Sequence, residues 1–157
     1  MDNFELGREI KHTQAVAAQA AASIGNGKFI SMAKLNKLEV LVQLEYGADV
    51  DCEITFIAAD NVNGDNPVVM TALFQLKVNT DTALTDALPR IVAPAASYTI
   101  DTGAGKSQKV CFTIYPAQMP IGKPAICVNI GGSDALNFVS SDYFAVPKYQ
   151  DESLLTN

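Results

Sequence analysis

SYTIDTGAGKSQKVCFTIYP, residues Ser97 to Pro116, reads as strand, turn, strand. Tyr98 and Ile100 alternate with smaller polar neighbours, the period-2 signature of a half-buried strand. Asp101 to Gly105 interrupts the alternation with two glycines, which accept positive φ at little steric cost. From Val110 the alternation resumes, with Val110, Phe112 and Ile114 on one face and Cys111, Thr113 and Tyr115 on the other. Pro116 closes the run, because it has no N–H to give to a ladder. The segment is therefore expected to be a hairpin with a mobile, lysine-bearing loop.

Within that loop, Gly103 to Ser107 (GAGKS) resembles part of a phosphate-binding P-loop. The full motif needs a further glycine five positions before Gly105, where this chain has Ile100. A P-loop must also open a helix, whose first N–H groups hold the phosphates. Gln108 to Tyr115 is strand-like instead. Nucleotide binding is not expected.

Working outward, 157 residues suit one domain around one core. Apolar residues make up 48% and charged residues 18%, the latter below the roughly one quarter usual in globular proteins. A formal charge of −6 argues against nucleic acid, whose recognition rests on clustered Lys and Arg. Tryptophan is absent, which weighs against an aromatic carbohydrate platform. Cys52, Cys111 and Cys127 are widely spaced. They form neither a disulfide framework nor a zinc motif, and read as buried free thiols. No apolar run reaches the roughly 18 residues of a membrane span. Asp2, Glu5 and Glu9 stand where a secretory signal would carry positive charge, so the chain is expected not to be secreted.

Residues 1–27 differ from the rest: Phe4, Leu6 and Ile10 lie among charges, and an alanine run from Ala15 to Ala22 follows. This segment reads either as a short helix on the domain or as an extended arm that orders against a neighbour. Residues 28–149 carry strands at a regular beat: Phe29 to Met32, Leu38 to Leu44, Cys52 to Ile57, a long Val68 to Val78, the central pair, Ala125 to Ile130 and Leu136 to Val146. Asn79 to Ala96, with Pro89 and Pro94, reads as a connection. Residues 150–157 form a polar, flexible tail. About eight strands without a long helix indicate an all-β, two-sheet sandwich of jelly-roll type.

Candidates for chemistry are few. His12 is the sole histidine, too little for a nucleophile–base system or a histidine metal cluster. The loop from Asp60 to Pro67 fails the helix-loop-helix calcium pattern, with Val62 third and Asp65 sixth. Its acidic residues read as turn formers, with Asp60, Asn63 and Asp65 left as the elements of an irregular cation site. Asp51/Glu53 and Asp81/Asp86 read as solvent-facing charges rather than a hydrolytic pair. No catalysis, cofactor or metal is expected.

The segment Ser97 to Ala104, followed by Val110-Cys111-Phe112 and Pro116-Ala117, resembles a group of small tailed-bacteriophage structural proteins. The ending Asp142-Tyr143-Phe144-Ala145-Val146-Pro147-Lys148-Tyr149 is similar to theirs. Those proteins are auxiliary capsid proteins, also called decoration or cement proteins, and the likeness extends over Leu38 to Tyr149. The resemblance implies a β-sandwich made in the host cytoplasm that binds the outside of the virion capsid. There it would hold neighbouring copies of the major capsid protein together, often as a homotrimer. Phe4, Leu6 and Ile10 are then the expected capsid-binding residues, because they are apolar groups in a segment too small to own a core. The competing reading is a receptor- or glycan-binding head-fibre or tail module. Its tyrosines (Tyr46, Tyr98, Tyr115, Tyr143 and Tyr149) are scattered rather than clustered, which favours the capsid reading.

Overall fold

The computed structural model describes residues 11–20, 27–85, 87–88, 90–131 and 137–148. Eleven strands fill them. They are β1 (Lys11–Ala20), β2 (Ile30–Ser31), β3 (Leu35–Glu45), β4 (Cys52–Ala59), β5 (Val68–Val69) and β6 (Phe74–Asn79). They continue with β7 (Arg90–Ala95), β8 (Tyr98–Ile100), β9 (Gln108–Ile114), β10 (Ala125–Gly131) and β11 (Phe138–Pro147). One sheet has the order β1-β11-β3-β9-β6-β7, and the other β2-β10-β4, with β5 and β8 sharing the far edge of β4. Every pairing is antiparallel.

This is a jelly roll. Four strands of the first sheet, β1-β11-β3-β9, face four of the second, β2-β10-β4-β8, and the chain crosses between sheets at almost every step. The segment between β4 and β8 adds β5 to one sheet and the β6–β7 hairpin to the other.

The period-2 alternation fixes which side chains fill the core. Leu38, Val40, Val42 and Leu44 of β3 point inward, as do Val110, Phe112 and Ile114 of β9, and all are buried. From the opposite sheet come Cys52, Ile54 and Phe56 of β4, with Ile126, Val128 and Ile130 of β10. Phe56 lies edge-on to both Phe74 and Phe112, with ring centroids 5.1 and 4.9 Å apart. That geometry adds about 0.5–1.5 kcal/mol per pair beyond area burial. It also joins the two sheets at their centre.

The central segment differs from the hairpin reading. β8 pairs with β4 and β9 with β3 and β6, so the two strands lie in different sheets. Asp101 to Ser107 crosses the sandwich between them, and seven residues exceed the two to five typical of a hairpin loop. The crossing is held by Asp51, whose Oδ1 accepts from the Thr102 backbone N–H at 3.0 Å. Gln108 anchors its other end by donating to the Asp101 carbonyl.

Other expectations also change. Val68 to Val78 is two strands, because the chain leaves one sheet after Val69 and enters the other at Phe74. Arg90–Ala95, expected as part of a connection, is edge strand β7 beside β6. In the N-terminal segment, Lys11–Ala20 is neither helix nor free arm but strand β1, antiparallel to β11. A ladder along β11, irregular at Gln14/Val16 and Val16/Gln19, outweighs the modest helix preference of alanine. Phe4, Leu6 and Ile10, residues 21–26 and the tail 150–157 lie outside the described residues.

Candidate interaction surfaces

The outer face of the six-stranded sheet is the broadest surface the fold builds. Its side chains stand in rows set by register. One row runs His12, Phe144, Glu39, Thr113, Gln75. The next runs Gln14, Asp142, Leu41, Cys111, Lys77, Ile91. His12 Nε2 lies 3.0 Å from Asp142 Oδ1, and its ring lies 5.1 Å from that of Phe144. Both contacts tie β1 to β11. Lys37 Nζ sits 2.7 Å from Glu39 Oε1, and the hydrogen bond it donates to Glu39 raises the Lys37 pKa. An apolar groove of about 310 Å³ follows the β7 margin, lined by Leu76, Ile91, Val92 and Pro94 with Gln75, Lys77 and Thr113.

At the end of this face where β3 finishes and β9 and β11 begin lies an open cavity of about 400 Å³. Gln43, Lys109 and Ser140 stand side by side along its floor. The cross-strand pair Phe138 and Glu45 bounds it on one side. Thr82 and Ser107 line it as well, joined by a backbone bond from Thr82 N–H to the Ser107 carbonyl at 3.0 Å. Phe138 is 49% exposed. Sequence reasoning passed over this constellation, since its members are scattered from 43 to 140 and only register unites them.

Of the carboxylates singled out in the sequence, Asp51, Asp60, Asp65 and Asp81 hold loops. Asp60 accepts from Lys123 Nζ and from Asn66 Nδ2 at 2.6 Å, and the Lys123 bond holds its carboxyl below the ordinary range. Asp65 accepts from Asn61 at 2.7 Å, whose own side chain receives the Asn63 N–H. The structure thus places Asp60, Asn63 and Asp65 in a self-bonded turn. Asp81 pairs with Lys106 of the GAGKS stretch, which likewise lowers its pKa. Asp51 holds Thr102 as described, Glu53 lies on exposed strand surface, and Asp86 lies outside the described residues. Asp51/Glu53 and Asp81 are therefore at separate tasks.

Burial pushes the thiols up, Cys52 and Cys111 to about 11 and Cys127 to about 12. All three are free. Cys52 and Cys127 are buried, while Cys111 is half-buried on the outer face. Tyr143, in the core, has its pKa raised by burial and accepts a hydrogen bond from Val128 N–H at 2.9 Å. Among the described residues, no group of His, Cys, Asp and Glu side chains is placed to hold a metal ion. None of their helices is long and apolar enough to cross a membrane.

No protein-family model matches the chain, and no curated protein does. Among solved structures, the N-terminal CBM22-1–GH10 modules of Clostridium thermocellum xylanase Xyn10B give a TM-score of 0.39 at 8% identity. That alignment covers 82% of this chain and 21% of the other. The CBM22-1 xylan-binding domain of Paenibacillus barcinonensis Xyn10C gives 0.36 at 13% identity, over 93% of this chain and 90% of that one. The SPBc2 prophage-derived protein YomS gives 0.52 at 15% identity, over 88% of this chain and 94% of its own. The chain thus shares its β-sandwich fold with a prophage-derived protein over most of both chains.

Proposed function

We propose that this chain is a structural phage virion protein that binds the outer surface of the capsid and stabilises it. The observation that carries the reading is the fold likeness to YomS, a prophage-derived protein, over 88% of this chain and 94% of that one. It agrees with the source that the sequence resemblance implies. The chemistry of the surface supports it as well. Asp51, Asp60, Asp81, Lys106 and Lys123 are engaged in holding loops. Apolar side chains exposed for a partner include Leu73, Ile91 and Ile121. The partner would be the major capsid protein, with no catalytic step. Many copies of a modest contact would resist internal pressure by avidity.

The test is co-sedimentation of the purified chain with expanded shells of the phage or prophage whose genome encodes it. Saturable binding at a fixed copy number per capsomer is expected, and a multiple of three would assign a homotrimer. No co-sedimentation at micromolar concentrations overturns the proposal.

A further inference from the structure

We propose that the cavity formed at the ends of β3, β9 and β11 is a carbohydrate site, shaped for one neutral sugar residue of a glycan. Its volume of about 400 Å³ falls in the range of small-molecule sites. It suits a hexose ring better than an extended polymer. A sugar offers an apolar C–H face and a rim of hydroxyls that both donate and accept. Phe138, half-exposed at the margin, supplies a flat apolar partner for the first.

The remaining lining supplies both halves of the second. Glu45 only accepts, the Lys109 ammonium only donates, and the Gln43 amide and Ser140 hydroxyl do both. The mixture of signs selects the ligand class. An anion would meet Glu45 and a cation would meet Lys109, whereas an uncharged polyol is repelled by neither. The floor belongs to β3, β9 and β11, strands at the middle of the six-stranded sheet, so the polar groups are held on rigid backbone rather than on loops. This assignment goes beyond capsid attachment and does not rest on it.

Titration of the ¹⁵N-labelled full chain with glucose, galactose and N-acetylglucosamine tests the proposal. With at least one of these sugars, saturable shifts are expected at the backbone amides of Gln43, Lys109 and Ser140. Affinity should fall by about tenfold or more in Phe138→Ala. The near-isosteric Glu45→Gln, at an exposed position, should weaken binding without disturbing the fold. Circular dichroism checks both variants. No saturable shift with any of these sugars, or undiminished binding in both variants, overturns the assignment. Co-sedimentation with shells separates this proposal from the previous one. Phe138→Ala is expected to bind shells as the parent does. Loss of shell binding in that variant would give the cavity to the capsid and overturn the sugar assignment.

Discussion

Asn137 is wholly buried and does the work of a small loop by itself. Its Oδ1 accepts from the backbone N–H groups of Gly47 and Ala48, each at 2.8 Å, and its Nδ2 donates to the Val50 carbonyl at 2.9 Å. These bonds fix the turn between β3 and β4 against the start of β11. Asn137→Ala removes three hydrogen bonds to the part-buried backbone of this turn, each worth about 0.5–1.5 kcal/mol net. The urea midpoint should therefore drop by an amount equivalent to about 2 kcal/mol or more, with an unchanged slope. An unshifted midpoint would mean that water replaces the amide without loss. Nothing in the sequence singles Asn137 out, because it falls within the stretch Leu136 to Val146 that reads as a strand. Tyr143 is a similar case. The sequence places it in a strand, but the bond it accepts from Val128 of the facing sheet depends on packing across the core.

At the scale of elements, inward faces were legible and neighbours were not. Alternation in β3, β4, β9 and β11 names the buried set because side-chain direction is local. Which strand lies alongside is decided by connections that local pattern does not describe. Hence Ser97 to Pro116 was resolved into two strands but assigned to one sheet. β7 was missed because an edge strand with mostly exposed residues and a proline carries no alternation. β1 was missed because alanines carry little burial signal. Its true role alters the obvious truncation experiment. Deleting residues 2–24 removes β1 and bares the hydrogen-bonding edge of β11, so the product should be less stable and self-associate in sedimentation velocity. Deleting residues 2–10 spares β1 and should leave the body monodisperse at the parent's thermal midpoint. Shell binding by that shorter deletion is then a clean test of Phe4, Leu6 and Ile10.

At the scale of the molecule, two ion pairs clasp opposite ends of the sandwich. Lys123–Asp60 joins the β10 approach to the loop after β4, and Lys106–Asp81 joins the crossing before β9 to the loop after β6. In both, the lysine's hydrogen bond depresses the aspartate pKa below 3.8 in the folded state. A depressed folded pKa means a stabilising contribution that is complete above the unfolded value and is lost as pH falls through the folded one. Thermal midpoints should therefore hold from pH 7 to about 5 and decline below about 4. The decline should be shallower in the double variant Asp60→Asn, Asp81→Asn. An equally steep acid limb in that variant would place the sensitivity elsewhere. Both pairs are surface contacts, so their effect is also expected to shrink in salt. The all-β sandwich class was readable from pattern, but the strand count was not: about eight were expected and eleven form among the described residues. Nor was the cavity, because its lining comes together only when distant strands take their register.

The order of strands also governs how the chain reaches this state. Of the strands adjacent in sequence, only β4–β5 and β6–β7 pair with each other, and both contacts are short. The long ladders instead join Lys11 to Ala145, Leu38 to Ile114 and Ala125 to Ala59. Few pairings can therefore form early at small entropic cost, and most must wait for distant segments to meet. Refolding should run on the millisecond-to-second scale of non-local β-proteins. During synthesis β3 would leave the ribosome before β9 and β11 exist, with its apolar face uncovered for that interval.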